Sequence, residues 1–499
     1  MSMNGMALYR DWRERLTGAE SGPWAAAGRA LLKDSFGYLI GAALLGLGSI
    51  VLVPLYTRCL QPAEFGAYSI LEITLAIVVS AATLKLDVAY LKWYAETPAE
   101  RQGGLFGTVL AASLAAGVVG GTLLSFGTGS SWVSHGLGLG NQRIGWVLFG
   151  IVVAENGQAL LLTRLRAERR VLLFSGCMVL RLAVIVPASC FFLLRARLGV
   201  EGIFLGRLCG DLVATAILAV LLLPGSRLGF DLNRVRPMLR FATPLLWSTF
   251  AAMVLDASGR LWLTRFCSLR EVGLYGAAIK VSSVSQIFLT QPFGAAWGGL
   301  LFQIAKWPDA RAIYSKILAY SFVASLTVAL LLTGCAPLLL SVFTNRAYHD
   351  ALSVLPLVFL ARALAILEFP ASVGIYLSGQ TLWFPAIYTA GLLVALGSGW
   401  FLVPRFGMAG SAWSWILAWI CIGGSMLAIS HRYYPLSYNW RLLTLPVVSW
   451  LLLLVSRAQV SFLPRALPLP YLAMTSLAGG CFAFWLSLPR MAQRRVRNG

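Results

Sequence analysis

Seven charged side chains fall within or at the edges of long apolar stretches: Glu72, Lys85, Asp87, Lys92, Asp256, Arg260 and Lys280. If those stretches are membrane helices, each charge is costly and should face protein or a water-filled cavity, which makes it a candidate for ion recognition. Lysine and arginine there suit an anionic group, phosphate above all. The carboxylates can weaken or gate that hold. Asp256 and Arg260 stand i,i+4 and can pair on one helix; Lys85 and Asp87 are a second candidate pair. Glu72 and Lys280 have no evident partner nearby in sequence, so they either act on a ligand or meet each other. Arg207 and Asp211, with Glu155, Arg181, Arg362 and Glu368, are expected to form ion pairs that hold the structure together.

Composition says what must carry these residues. The 499 residues are 58% hydrophobic and 12% charged, against about 25% charged in a soluble domain. Mean hydropathy is +0.77. This is a membrane composition. The formal net charge of +21 then reflects basic loops that orient helices, and no nucleic acid is expected. The eight cysteines show no metal spacing, and most lie in apolar runs. Cys59 and Cys267 are expected as two free thiols. His135, His349 and His431 fit no ligand motif, so neither metal nor cofactor is expected. Residues 1–35 do not read as a signal peptide.

The expected fold is an all-α polytopic membrane protein of about fourteen transmembrane helices. Spans fall near 36–57, 66–86, 104–126, 143–163, 171–194, 199–223, 241–263, 273–303, 313–336, 351–376, 381–403, 408–430, 442–458 and 468–488. With a cytoplasmic N-terminus, the inner segments collect most of the Lys and Arg, including Arg164, Arg166, Arg169 and Arg170 and the tail Arg490, Arg494, Arg495 and Arg497. Both termini are then cytoplasmic.

The chain also repeats itself. Thr57-Arg58 followed by Glu64, Gly66 and Tyr68 returns as Thr264-Arg265 followed by Glu271, Gly273 and Tyr275, an offset of 207 residues (265 − 58). Arg197, Gly199 and Gly202 return as Arg405, Gly407 and Gly410 at an offset of 208 (405 − 197). Two matches in order argue for a duplicated unit. The domain reading is a cytoplasmic segment 1–35, a first lobe 36–223 of six spans, a basic linker 224–240, a second six-span lobe 241–430, two extra C-terminal spans 431–488 and a basic tail 489–499. Six is even, so the lobes share one orientation and face each other across a central cavity. In the repeated loops the glycines allow a tight bend or close helix approach, and the charged residues bridge or cap short helices. The functional reading is an outer gate. Pro292, midway along the long eighth span, is a candidate hinge.

The motif around the first loop carries a resemblance. Pro54, Thr57-Arg58 and Pro62-Ala63-Glu64-Phe65-Gly66-Ala67-Tyr68 are similar to the start of the polysaccharide transporter family, the lipid-linked oligosaccharide flippases of O-antigen and exopolysaccharide pathways. That family lies in the multidrug/oligosaccharidyl-lipid/polysaccharide superfamily. Arg405 to Trp413 resembles the family's element between its eleventh and twelfth helices. The resemblance implies two rocking lobes, a bacterial inner-membrane location and an undecaprenyl-diphosphate-linked glycan as cargo. Partners would be that glycan lipid, membrane lipids and, loosely, other membrane proteins of polysaccharide synthesis. Lys85, Lys92, Arg260 and Lys280 would then hold the diphosphate in succession, with Glu72, Asp87 and Asp256 weakening or gating the hold.

The alternative is a cation-coupled multidrug or metabolite exporter of the same superfamily. Such a protein should place carboxylates rather than cations in the cavity, and here the basic side is at least equal. A membrane enzyme is excluded by the lack of a catalytic outer loop, since 127–142 holds one histidine. A major-facilitator carrier is excluded by the loop after span two, which lacks that class's basic motif.

Overall fold

The computed structural model describes residues 51–129, 143–224, 231–305 and 309–436. The N-terminal segment, most of the first expected span, most of the 127–142 loop, spans thirteen and fourteen and the basic tail lie outside the described residues. Every regular element is helical: α1 Val53–Cys59, α2 Pro62–Ala82, α3 Leu86–Glu96, α4 Ala99–Gly129, α5 Arg143–Ala167, α6 Val171–Cys190, α7 Gly199–Leu222, α8 Leu232–Phe266, α9 Leu269–Ser285, α10 Gln291–Ile304, α11 Ala310–Gly334, α12 Ala336–Phe343, α13 Leu355–Ala365, α14 Glu368–Ala371, α15 Val373–Leu377 and α16 Trp383–Tyr433. A 3₁₀ segment, Arg346–Ser353, joins α12 to α13. Among the described residues, nine helices are long and apolar enough to cross a membrane. The chain is a multi-pass membrane protein.

One of those helices is too long for one crossing. At ~1.5 Å per residue, the 51 residues of α16 would measure about 76 Å, against a hydrocarbon core of about 30 Å. It folds into a hairpin instead. Gly407 takes φ +52°, ψ −128°, outside helical space, and a Cβ added at Gly391 would run into Ile422. Gly199, which matches Gly407 in the repeat, has φ +54°. At both corners a residue without Cβ adopts the left-handed turn at no steric cost.

The repeated segments begin helices. Expected as loops through Tyr68 and Tyr275, they are helical from Pro62 and from Leu269 onward. Both starts carry the same cap. The Glu64 carboxylate accepts from the Gln61 N–H at 2.8 Å, and the Glu271 carboxylate accepts from the Ser268 N–H at 3.3 Å. The glycines then bring α2 and α9 into backbone contact. A Cβ at Gly66 would strike Leu269 O, and one at Gly273 would strike Pro62 O. Of the two expected uses of these glycines, close approach is the one found. One apolar core is continuous across this contact, running from Phe65, Leu71 and Leu75 to Val272, Ala277 and Val281 and on to Val358 and Ile416.

Two irregularities depart from the expected spans. Span two does not end near residue 86. Leu84 and Lys85 turn left-handed at φ +49° and +52°, and the helix resumes as α3, which ends at Glu96. Span eight widens into a π turn, Gln286–Thr290, just ahead of Pro292. A proline offers no N–H to the carbonyl four residues earlier, so the ladder is free to widen there. Cys59 and Cys267 are both free. Burial, with Glu271 beside it, pushes the Cys267 thiol up to about 11, so it is protonated at neutral pH.

The glycine contact gives a direct test. Gly273→Ala overfills the α2–α9 contact and should cost about 1–3 kcal/mol, read as a lower unfolding temperature of the purified protein in detergent. Gly424→Ala, with no atom near its added Cβ, should leave that temperature unchanged.

Candidate functional site

Just beyond the glycine contact, α2 and α9 place opposite charges together. Lys280 Nζ lies 2.5 Å from Glu72 Oε1, and the two side chains are 21% and 20% exposed. The Tyr68 hydroxyl donates to the same carboxylate oxygen at 2.9 Å. Of the two fates open to Glu72 and Lys280, the structure shows the mutual pair. A third helix joins them here. Arg260 Nη1 on α8 donates to Ser69 Oγ on α2 at 3.2 Å.

The i,i+4 pair expected on α8 is not made. Asp256 and Arg260 form no ion pair among the described residues; Arg260 turns to Ser69, while Asp256 is exposed. Asp256 instead lies in the combined field of Arg362 and Arg260. Arg362, expected to hold its lobe together through an ion pair, stacks over the Trp415 ring at 4.8 Å. Glu368 receives the Tyr388 hydroxyl instead. Arg362 is the residue that charge counting missed as part of this site. Its signal in the sequence was only its place at membrane depth.

In the first half of the chain the charges close on themselves. Arg181 reaches Glu155 at 2.6 Å and the fully buried Asp211 at 2.5 Å. Arg207 reaches Glu155 at 2.7 Å and Asp211 at 3.9 Å. Two cations and two anions on α5, α6 and α7 form one neutral cluster. Its role is to join those helices, so Arg181→Ala, which strands buried carboxylates, should cost about 3–5 kcal/mol and lower the amount of protein in the membrane.

The remaining expected residues are spread apart. Lys85 sits at the left-handed break and forms no ion pair with Asp87 among the described residues; Asp87 Oδ1 is buried without a hydrogen-bond partner. Lys92 lies over Trp93 at 4.8 Å and Phe241 at 4.5 Å, between α3 and α8. The repeated motifs form a closed end. Thr57 donates to Phe343 O at 3.1 Å, and the Tyr348 hydroxyl donates to Leu60 O at 2.9 Å. Tyr348 also packs edge-on against Phe65. Arg58, Thr264 and Arg265 are exposed at this end, and Tyr275 is buried beneath it. Among the described residues, no group of three or more His, Cys, Asp or Glu side chains is arranged to hold a metal ion.

Comparison with known proteins agrees with this architecture. The family model described as "Polysaccharide biosynthesis protein" matches residues 55–297. No curated protein matches in sequence. Among solved structures, the lipid II flippase MurJ in an inward closed conformation superposes with a TM-score of 0.68 at 12% identity, covering 93% of this chain and 100% of that one. An inward-facing multidrug resistance MATE family transporter of the MOP superfamily gives 0.61 at 14% identity, over 78% and 93% of the two chains. A MOP superfamily transporter from Pyrococcus furiosus gives 0.51 at 15% identity, over 81% and 95%. These likenesses establish the fold, one shared with a lipid II flippase and multidrug transporters, and over residues 55–297 the chain is similar to the family described as a polysaccharide biosynthesis protein.

Proposed function

We propose that this chain is an alternating-access flippase that carries a lipid diphosphate-linked oligosaccharide across the bacterial cytoplasmic membrane for O-antigen, exopolysaccharide or capsule synthesis. The observation that carries the reading is the Lys280–Glu72 ion pair, made between the two halves at membrane depth beneath an end closed by Thr57, Leu60, Phe343 and Tyr348. With basic loops on the cytoplasmic side, that closed end is the outer one. In this reading the lobes are 36–223 and 241–430, with the cargo path between them. In it the Lys280 ammonium is neutralised by Glu72. A phosphate competes with Glu72 for that ammonium, so cargo binding weakens a bond that holds α2 against α9. Lys85 and Lys92 lie toward the inner end and meet the headgroup first, and the π turn before Pro292 supplies the bend in α9–α10. Undecaprenyl diphosphate is the carrier that the family resemblance implies. The family model's description and the flippase named among the structural matches support this reading. Asp256, exposed and without an ion-pair partner among the described residues, is the one feature that favours a cation exporter.

A deletion strain separates the two. Lipid-linked oligosaccharide should accumulate on the inner leaflet only, read by a glycan-binding probe in right-side-out and inverted vesicles. A normal distribution with raised sensitivity to cationic dyes would support the exporter instead. Within the site, Lys280→Ala should abolish surface glycan while the protein stays in the membrane at wild-type amount. Loss of the protein itself would make the pair purely structural.

A further inference from the structure

We infer that Arg260 and Arg362 form an oxyanion site within the second half of the chain, completed by Trp415 and Ser411 and taking one phosphate group. That the phosphate belongs to the lipid-linked cargo rests on the flippase reading above; the oxyanion site itself does not.

Several hydrogen bonds in this region are not made. Buried donors are nearly always satisfied, so a cluster of unsatisfied ones needs an explanation. Arg260 is only 7% exposed, and its Nε has no partner. Arg362 Nε, Trp415 Nε1 and Ser411 Oγ are also buried without partners. These groups come from α8, α13 and α16 and lie together. Arg362 stacks on Trp415, both guanidiniums act on Asp256, and Ser411 abuts Gly259, beside Arg260.

The carboxylates in reach leave these donors unused. Glu72 is held by Lys280 and Tyr68, and Glu368 by Tyr388. Asp256 is the remaining acceptor. It is exposed, and Trp415 lies beside it without completing a hydrogen bond. Formal charge does not demand a ligand, because Asp256 and Glu368 balance the two arginines. The unused N–H groups do, and their geometry names the ligand class. Guanidinium donors sit in a rigid fork that matches the oxygens of a phosphate. The ring under Arg362 fixes that fork without using its N–H groups. Asp256, at the open side, opposes the anion and keeps its hold reversible, as transport requires.

The test is ligand binding by the purified full-length protein in detergent, read as thermal stabilisation and Kd. The probes are geranylgeranyl diphosphate, inorganic diphosphate and inorganic phosphate. Wild type should bind the prenyl diphosphate, Arg362→Gln should weaken binding at least tenfold, and Arg362→Lys should fall between. Trp415→Phe removes one N–H from the site and should weaken binding severalfold; it and Arg362→Lys decide the matter if Arg362→Gln does not fold. Wild-type affinity in folded Arg362→Gln, or in both of the other variants, overturns the site, as does failure of wild type to bind any probe. Arg362-dependent binding of inorganic diphosphate, equal to that of the prenyl form, upholds the site and assigns it to a free oxyanion. A normal leaflet distribution in the deletion strain, with Arg362-dependent binding intact, overturns the flippase reading and leaves the oxyanion site standing.

Discussion

A charge at membrane depth is costly and must face protein or a water-filled cavity. The pairing of Lys280 with Glu72 meets that demand across the two halves of the chain, and a backbone-to-backbone helix contact serves it. Gly66 and Gly273 set α2 and α9 backbone to backbone. Glu72 is six residues past the first glycine and Lys280 seven past the second, roughly 9–10 Å along each axis. Helices that touch at the glycines are still close at that distance, so the ammonium reaches the carboxylate at 2.5 Å. A larger residue at either glycine would part the helices and leave two unpaired charges between them.

The same contact is fixed by the two helix starts it joins. The matched caps at Gln61–Glu64 and Ser268–Glu271 fix where each helix begins. The 3₁₀ segment then lays Tyr348 across the first of these starts, against Phe65 and Leu60. The end bearing the repeated motif is closed by these contacts, and the ion pair lies just inside it.

Much of this was legible in the residues. Apolar runs of span length located the described helices, and the repeated R-x-G-x-x-G located both left-handed corners, because glycine at φ above zero leaves a compositional mark. The break at Leu84–Lys85 left none, since no glycine or proline stands at these left-handed residues. Charge spacing paired Arg207 with Asp211, and it also paired Arg260 with Asp256, whereas Arg260 meets a serine on another helix. It also sought a basic partner for Glu368, whose partner is Tyr388. Counting formal charges cannot find neutral hydroxyls or aromatic faces, and these are the partners that Arg260, Arg362 and Glu368 meet.

The two halves show what that difference can build. At the repeat offset, Glu155 aligns with Arg362 (362 − 155 = 207) and Arg207 with Trp415 (415 − 207 = 208). The same two positions hold a carboxylate facing a guanidinium in the first half and a guanidinium facing an indole in the second. A carboxylate consumes N–H donors; an indole face holds the cation and leaves them free. The first half therefore closes into a neutral cluster with Arg181 and Asp211 that joins three helices. The second keeps a positioned guanidinium with unused donors beside Arg260. One spacing of residues thus joins three helices in the first half and leaves buried donors unused in the second.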